Sequence, residues 1–559
     1  MVMKRMVLLM LVFQVFFSLS LFAQQSDVYM NSADFKHALE LLTNPDAPDE
    51  EGAMESLQKE VRNHPRNGWA HYYIGLIYSN HHKYGDALAS MNKAVELLKK
   101  DKLWAPYAYR VRASVYLGLG NEAMALEDWK SALRVDPNDE RTLFDRAEYY
   151  YQQQSYGKAD ADYEWIIKNN PTNEAAYMGK ARNAIDEKKY KKAKELLDYA
   201  AKLDPENSKV YAFRAQAYMG LQKYPEAADD LVSALRIDER NDAFDIIQDW
   251  REPEMNVLLS KLKIQSLKDK KNPLWSYYIG IVYESNDMYL KAANAYQVAN
   301  NITPSAVVLA RMACCYSRQG YEKVALDAID QAISMDSIQV VNLMLKGDIL
   351  YDMGRGTEAI AVYDAYIAEM PDEAGGYYRR GFIKDNLHDV DGAIEDYTTS
   401  IMIDATAYPY AYLGRGDMYT LKGNKVAAVA DYQKAIELDT EYGESNVAHY
   451  AYLALGQKDK AIAFCDSVLA HSESIGNLYD AACLYARMGN KEKSLDYLEA
   501  SLEKGFRRLP HLSIDSDLDC LRNLPRYKEL IRKYQDKAKE EERMLHVMYK
   551  SKLDGISYY

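Results

Sequence analysis

Residues 106–241 consist of four consecutive blocks of 34 residues that repeat one pattern without a gap. The blocks begin at Pro106, Glu140, Glu174 and Ser208, and each carries Ala at its eighth and twentieth places. A fixed period of this length is typical of helix–turn–helix units that stack into a solenoid. Because each unit packs only on its neighbours, the length of 559 residues does not require several globular domains. We therefore expect an all-α fold.

The same pattern extends beyond this stretch in both directions. A regular unit begins at Gly68, after a divergent unit that ends at Asn67. Between Asp242 and Asn272 the small eighth residue and the Tyr at the eleventh place are missing, and the pattern returns at Pro273. A solenoid also needs more polar terminal units to protect its ends. The predicted segments are a signal peptide at 1–23, a divergent capping repeat at 24–67, a first array at 68–241, a degenerate repeat or seam at 242–272, a second array at 273–508, and a capping segment with a charged helix at 509–559.

The first residues predict a targeting segment. Lys4 and Arg5 precede an apolar run, residues 6–22, which ends at Ala23, the pattern of a cleaved secretory signal peptide. We expect an exported protein that is periplasmic or otherwise associated with the cell envelope. An uncleaved inner-membrane anchor is the alternative. No other apolar run approaches the about 20 residues that a membrane span needs, so no membrane insertion is expected once the leader is removed.

The charge and the cysteines exclude some partners and limit the chemistry. A formal net charge of -14 argues against nucleic acid and anionic lipid surfaces as partners. Five cysteines are an odd number, and Cys314 and Cys315 are adjacent, which makes a bridge between them strained. Buried thiols are therefore expected, with a bridge between Cys465 and Cys483 as the alternative.

Three places in the repeat explain how its two helices pack. Across twelve regular units the twentieth residue is Ala except for Ser494, and the eighth is Ala or Gly except for His449. Antiparallel helices approach closely only where side chains are small, so these places set the helix contact. The eleventh residue is Tyr in nine units, which predicts a packing role for much of the tyrosine content.

Two further places vary together within the chain. Every unit with Arg at the seventh place has Asp at the twenty-third, and the units with Lys180 or Lys346 at the seventh place do not. A planar guanidinium matches a carboxylate in a bidentate pair, and an ammonium does not. We predict structural ion pairs between Arg112 and Asp128, Arg146 and Asp162, Arg214 and Asp230, Arg380 and Asp396, and Arg415 and Asp431.

Together, the small eighth residue, Tyr at eleven, Ala at twenty, an aromatic residue at twenty-four and Pro at thirty-two resemble the tetratricopeptide repeat family. The resemblance covers nearly all of the mature chain and implies a right-handed superhelical solenoid whose first helices line a concave groove. The leader and the terminal stretch are similar to those of exported repeat proteins of Gram-negative bacteria.

In that family the second, fifth, ninth and twelfth residues of each unit face the groove, which binds peptides or protein segments. Aromatic and Met side chains there suit an extended or helical segment. The carboxylate-clamping members have Lys at five and Asn at nine, a pair that no unit here contains. The resemblance implies a protein-binding groove lined by Tyr72, Arg110, Phe144, Glu148, Met178, Arg182, Tyr277, Met344, Tyr378 and Phe382.

The sequence contains no pattern that indicates catalysis. Residues 118–123 match a dinucleotide fingerprint, but they follow a predicted helix rather than a strand, so we interpret the match as accidental. We expect no enzyme activity, no cofactor and no metal site. The prediction is a non-catalytic scaffold or adaptor that binds protein or peptide partners. A glycan-handling or envelope-assembly module is the alternative, and an enzyme accessory or an unrecognised enzyme is a third hypothesis.

Overall fold

The computed structural model describes residues 29, 31–44, 49–238, 242–336, 340–406, 408–442, 447–537 and 540 of the chain. Within these ranges every regular element is a helix, which confirms the all-α prediction. The chain divides into two compact units, Met1–Ala243 and Phe244–Tyr559, so the boundary lies at the start of the predicted seam. The predicted leader, residues 1–23, and most of the terminal charged helix lie outside the described residues.

The first unit is a series of helical hairpins in which each helix packs on the next. Short turns connect the helices, as the repeat pattern predicts. Its helices are α1 Ala33–Thr43, α2 Glu50–Asn63, α3 Gly68–Asn80, α4 Tyr84–Leu98, α5 Trp104–Gly118, α6 Glu122–Val135, α7 Glu140–Gln152, α8 Tyr156–Asn169, α9 Glu174–Asp186, α10 Tyr190–Leu203, α11 Ser208–Gly220 and α12 Tyr224–Ile237.

The second unit continues in the same manner and ends in an irregular segment followed by a last helix. Helix α13, Asp242–Gln248, contains the boundary between the units. The remaining helices are α14 Met255–Lys268, α15 Pro273–Glu284, α16 Tyr289–Ile302, α17 Ala306–Arg318, α18 Glu322–Met335, α19 Val341–Asp352, α20 Gly356–Glu369, α21 Ala374–Asn386, α22 Val390–Ile403, α23 Pro409–Leu421, α24 Lys425–Tyr442, α25 Ala448–Ala454, α26 Lys458–His471, α27 Ile475–Arg487, α28 Lys491–Lys504, α29 His511–Ile514 and α30 at 525–537. Among the helices of the described ranges, none is both long enough and apolar enough to cross a bilayer.

Asparagine caps begin several of the first helices and also join neighbouring repeats. The Asn173 side chain accepts a hydrogen bond from the backbone N–H of Ala176 at 3.1 Å, which satisfies a free amide at the start of α9. The same side chain donates through Nδ2 to Glu140, the first residue of α7, at 2.6 Å. Asn207 repeats the arrangement with Glu174 at 2.9 Å. One residue type therefore ends the turn and fixes the spacing between repeats.

The two small places of the repeat lie at the contact between paired helices. Ala125, Ala159 and Ala193, at the twentieth place, are all fully buried. The exception, Ser494, is also buried and donates its hydroxyl to the backbone carbonyl of Ala482 at 2.7 Å, so its polar group is satisfied. These positions bring the helices together as the sequence pattern predicts.

The five Arg and Asp residues that vary together form five bidentate pairs. In each, the Arg donates from Nε to one carboxylate oxygen and from Nη2 to the other. For Arg112 and Asp128 the two distances are 2.8 and 2.7 Å, and for Arg415 and Asp431 both are 2.8 Å. The same two bonds join Arg146 to Asp162, Arg214 to Asp230 and Arg380 to Asp396.

The structure adds a second partner that the sequence did not indicate. The remaining Nη1 group of four of these arginines donates to the twenty-fifth residue of the preceding repeat. The four bonds join Arg112 to Asn92, Arg214 to Asp198, Arg380 to Asp364 and Arg415 to Thr398, at 3.0, 3.1, 2.6 and 3.2 Å. Each of these arginines therefore ties together three helices from two repeats.

The repeats with Lys at the seventh place make only this second contact. Lys346 lies 2.7 Å from Asp330, the twenty-fifth residue of the repeat before it, and Lys180 pairs with Glu164 in the same way. An ammonium is a compact charge without the planar fork that holds two acceptors at once. This difference explains why the twenty-third residue is Asp only where the seventh is Arg.

Candidate acidic cleft

The second unit contains an open cavity of about 610 Å³ between its later repeats and its terminal segment. Its walls come from α19, α21, α22, α23, α25 and α27, and from residues 505–518, which follow α28 and are called the strap below. Five carboxylates line the cavity, and we call it the acidic cleft: Asp385, Asp417, Asp480, Asp515 and Asp517.

The register of the repeats places most of the lining side chains. The cleft uses the same second, fifth, ninth and twelfth places that the family resemblance assigns to the groove. Tyr410 holds the second place of its repeat, Leu413 and Tyr479 the fifth, Phe382, Asp417, Tyr450 and Cys483 the ninth, and Tyr351 and Asp385 the twelfth. Because these places recur at 34-residue spacing, residues far apart in sequence converge on one surface.

A single arginine faces the five carboxylates from the array. Arg487 Nη2 lies 3.3 Å from Asp417 Oδ2, and its Nε lies 3.8 Å from Asp517 Oδ1. The guanidinium also lies over the Tyr450 ring, 5.4 Å from its centroid. One guanidinium cannot neutralise five carboxylates, so the cleft keeps an excess of negative charge.

That excess changes the acidity of the carboxyl groups. Burial, and after it the charge of Asp417, raises the pKa of Asp385 to about 7. Burial and the charges of Asp515 and Asp517 raise the pKa of Asp480 to about 7. Burial also raises the pKa of Asp517 to about 7, although Arg487 opposes the change. These groups therefore exchange protons near neutral pH.

Tyrosine hydroxyls satisfy some of these carboxylates. Tyr397 donates to Asp385 at 3.3 Å, Tyr432 donates to Asp417 at 2.7 Å, and Tyr479 donates to Asp515. Within the described ranges no group donates a hydrogen bond to the carboxylate of Asp480, although the Asp480 backbone carbonyl accepts from Tyr450 at 3.1 Å. The Asp517 carboxylate likewise accepts no hydrogen bond from the described residues and pairs with Arg487 only at 3.8 Å, so Asp480 and Asp517 are the carboxylates of the cleft that are most free to accept a bond from a ligand.

Three donor groups of the cleft lie close enough to share a metal ion. The ligand atoms of Cys483, Asp515 and Asp517 are all within 4.8 Å of one another. Cys483 is 2% exposed, and its thiol lies 3.7 Å from the Asp515 carboxylate. Burial and the charge of Asp515 raise the pKa of this thiol, which keeps it protonated and poorly nucleophilic. The group can attract a cation, but its thiol is not activated for covalent chemistry.

In the first unit the predicted groove residues occupy two different environments. Tyr72 is 4% exposed and packs edge-on against Trp104, and Arg110 is 7% exposed and lies 3.3 Å from Asp145, so both offer little surface to a ligand. Glu148 and Arg182 occupy the ninth place of adjacent repeats and form an ion pair. The partly buried Phe144 packs on Tyr163, and Met178 packs on the apolar cluster of its repeat.

In the second unit one of the predicted groove residues lines the acidic cleft. That residue is Phe382, whose ring lies 5.6 Å from Tyr351. Tyr378 stacks on Tyr408 at 4.9 Å, Met344 packs beside the apolar cluster that includes Tyr363, and Tyr277 stacks with Phe244. These three residues lie outside the cleft lining.

Sequence reasoning missed the residues that give the cleft its charge. Asp385 and Cys483 occupy groove places, so a scan of the ninth and twelfth places for acidic and thiol groups would have found them. Asp480 lies at the sixth place of its repeat, and the strap carries Asp515 and Asp517 outside any repeat. No periodic signal marks those three residues.

The dinucleotide-like match has a structural explanation. Gly120 has φ +71 and occupies the turn between α5 and α6, where the left-handed backbone favours glycine. The segment follows a helix and meets no strand, so it does not form the phosphate-binding turn of a dinucleotide fold.

Stacked helical hairpins with an exposed lining define a helical-repeat protein of the solenoid class. Two segments match models described as tetratricopeptide repeat, residues 184–244 and 409–442. The chain therefore contains tetratricopeptide repeats in both of its units. Repeats of this family act generally as scaffolds for protein interactions, and the fold is generally non-catalytic.

Several solved structures are similar to parts of the chain. A tetratricopeptide repeat protein from Parabacteroides merdae is 20% identical, with 51% of this chain and 99% of that chain covered and a TM-score of 0.33. Yeast Tom70 is 18% identical, with 72% and 96% covered and a TM-score of 0.33. MamA is 23% identical, with 30% and 98% covered and a TM-score of 0.28. No curated protein matches the chain.

Proposed function

We propose that the chain is a non-catalytic scaffold of the cell envelope and that its acidic cleft binds a basic segment of a partner protein. The observation that carries this proposal is that five carboxylates line one cavity, and that Arg487 is the arginine of the lining that lies against them. A lysine or arginine side chain of a partner would supply the missing positive charge.

The shape and the walls of the cleft suit such a side chain. Tyr410 and Tyr450 lie beside Asp480, and aromatic faces attract cations in addition to the carboxylate. The cleft already holds one cation over an aromatic ring, because Arg487 lies over Tyr450. The cavity of about 610 Å³ accommodates a short segment rather than a folded domain.

Binding of a short lysine–glycine peptide with blocked ends, measured by calorimetry with the full chain, tests the proposal. A matched glutamine–glycine peptide is the ligand control. We expect Asp480→Asn to weaken the lysine peptide about tenfold, because it removes one charge-assisted contact. Asp459→Asn, at an exposed carboxylate of α26 that does not line the cleft, should leave binding unchanged.

Equal affinity for the two peptides would contradict the proposal. Binding of a neutral oligosaccharide in place of the lysine peptide would favour the glycan-handling alternative. The envelope location rests on the leader pattern at residues 1–23. Amino-terminal sequencing of the protein recovered from an envelope fraction tests it, with Gln24 expected as the first residue.

A further inference from the structure

Two arginines of the first unit lie against one tyrosine ring. Arg110 and Tyr107 belong to α5, at the fifth and second places of their repeat, and Arg141 belongs to α7, at the second place of the next repeat. The guanidinium of Arg110 lies 5.3 Å from the centroid of the Tyr107 ring, and that of Arg141 lies 5.9 Å from it. We call Arg110 and Arg141 the arginine pair. Their places are among those that the family resemblance assigns to the groove.

The arginine pair lacks hydrogen-bond acceptors among the described residues. Arg110 is 7% exposed and donates no hydrogen bond to them, although its Nε lies 3.3 Å from Asp145 Oδ2. Arg141 has neither a hydrogen bond nor an ion pair with them, and its Nη1 is fully buried without an acceptor. A guanidinium carries five N–H donors, and a buried donor that stays unpaired costs free energy. The pair therefore needs an acceptor from elsewhere.

The carboxylates near the arginine pair do not balance its charge. Within the described ranges Asp145 is the carboxylate at ion-pair distance from it. Burial raises the pKa of Asp145 to about 6, although the charges of Arg110 and Arg141 oppose the change. Asp139 also lies near enough to raise this pKa, but its carboxylate caps α7 and accepts from the backbone N–H of Thr142 at 3.1 Å. One positive charge of the pair is left without a counterion.

A tyrosine hydroxyl adds a third donor. Tyr72 of α3 holds the fifth place of its repeat and is 4% exposed, and its hydroxyl has no hydrogen bond with the described residues. Burial raises the pKa of Tyr72, and the charges of Arg110 and Arg141 oppose that rise, so the hydroxyl lies near both guanidinium groups. Tyr72 and Arg110 offer little surface, but a hydrogen bond needs one accessible atom rather than a large area. Donors from three consecutive repeats therefore lie near the Tyr107 ring.

We propose that the arginine pair binds a carboxylate, supplied by an Asp or Glu side chain of a protein segment that lies in the groove of the first unit. A carboxylate has two oxygens and can accept from both guanidinium groups. Its single negative charge matches the one charge of the pair that has no counterion, whereas a phosphate group carries about two at neutral pH. This inference goes beyond the proposed function, because the site is in the other unit and its ligand has the opposite charge.

Calorimetry of the full chain with a short glutamate–glycine peptide that has blocked ends tests the site. A matched glutamine–glycine peptide is the ligand control, and inorganic phosphate is the second anion. We expect the glutamate peptide to bind more tightly than either of them. Arg141→Gln should weaken the glutamate peptide about tenfold, because it removes one charge-assisted contact. Arg134→Gln, at a 57% exposed arginine of α6 that pairs with Glu127 on the same helix, should bind as the wild type.

Two further measurements separate binding from a structural role. Arg141 has no hydrogen bond or ion pair to lose in the empty protein, so Arg141→Gln should keep a thermal midpoint close to that of the wild type. Hydrogen–deuterium exchange locates the site on the wild-type chain without a variant. We expect the glutamate peptide to slow exchange in residues 104–118 and 140–152 and to leave the second unit unchanged.

Several results would overturn the inference. These are equal affinity for the glutamate and glutamine peptides, tighter binding of phosphate than of the glutamate peptide, and an Arg141→Gln variant that loses stability but keeps its affinity. The two binding sites can be judged separately, because Asp480→Asn should not change the affinity for the glutamate peptide. If the lysine peptide fails to bind and the glutamate peptide binds, the proposed function fails and this inference stands.

Discussion

Replacement of Arg214 tests the idea that a guanidinium joins two repeats. Arg214 donates to both oxygens of Asp230, at 2.7 and 2.8 Å, and to Asp198 of the preceding repeat at 3.1 Å. Its side chain is 17% exposed and that of Asp230 is 10% exposed, so solvent screens the pair weakly. Burial raises the pKa of Asp230, and Arg214 opposes that rise, so the carboxylate depends on this arginine to remain ionised.

The expected losses follow from this geometry. Arg214→Ala leaves a nearly buried carboxylate without its partner, and we expect a loss of about 3 kcal/mol. Arg214→Lys keeps the positive charge but loses one of the two hydrogen bonds to Asp230, and we expect the free energy of unfolding to fall by about 1.5 kcal/mol. Removal of both partners in Arg214→Ala/Asp230→Ala should cost only about 1 kcal/mol, because no unpaired charge stays buried.

Exchange protection of the amides in residues 208–237 measures these losses locally. At about 1.4 kcal/mol for each factor of ten, protection should fall about 100-fold in Arg214→Ala and about tenfold in Arg214→Lys. Lys209→Ala, at an exposed position of the same helix, is the control. A lysine variant as unstable as the alanine variant, or a double variant no better than Arg214→Ala, would refute the reasoning.

Two further predictions concern protons in the second unit. Three cleft carboxyl groups have a pKa of about 7 in the folded protein, whereas the pKa of an unfolded Asp is about 3.9. As pH rises from about 6 to about 8 the folded state releases these protons, and the free energy of unfolding falls by about 1 kcal/mol for each group. We expect the thermal midpoint of this unit to fall over that range while its affinity for the lysine peptide rises. A midpoint and an affinity that change in the same direction would contradict the electrostatic account. His449 is 2% exposed, and neither ring nitrogen has a hydrogen bond from the described residues. Burial lowers its pKa to about 3, so below about pH 6.5 the unfolded chain binds a proton that the folded chain does not, and the free energy of unfolding falls. In urea unfolding His449→Leu should be more stable by about 1 kcal/mol at neutral pH and by about 3 kcal/mol near pH 5, and an advantage independent of pH would argue against this origin.

The sequence alone predicts the parts of this protein that repeat. Ala125 is buried between helices because the twentieth place recurs, and Arg112 meets Asp128 because both places vary together. The second bond from Arg112 to Asn92 was not predictable in this way, since the twenty-fifth residue differs between repeats and Asn, Asp and Thr can all accept it. Where the twenty-fifth residue is Lys130, Arg146 in the next repeat makes only its own pair.

The acidic cleft contains residues that the repeat pattern predicts and others that it does not. The place of Phe382 in the repeat predicts its exposure to the groove, and the structure brings it to the cleft wall. The fold of the strap depends on single contacts, such as Arg508 with Asp352 and the Arg507 carbonyl on Gly320, that have no counterpart elsewhere in the chain. A contact that occurs once leaves no pattern within one sequence, so Asp515 and Asp517 could not be assigned to the site.

The hydrogen bond from a seventh-place arginine to the repeat before it has an evolutionary consequence. The repeat that begins at Ala374 carries both halves of this joint, because Arg380 donates to Asp364 of its predecessor and Thr398 accepts from Arg415 of its successor. A tandem gene duplication that copies this repeat therefore copies both halves of the joint. Arrays of this kind can lengthen or shorten by one repeat without creating an unpaired charge at the new junction.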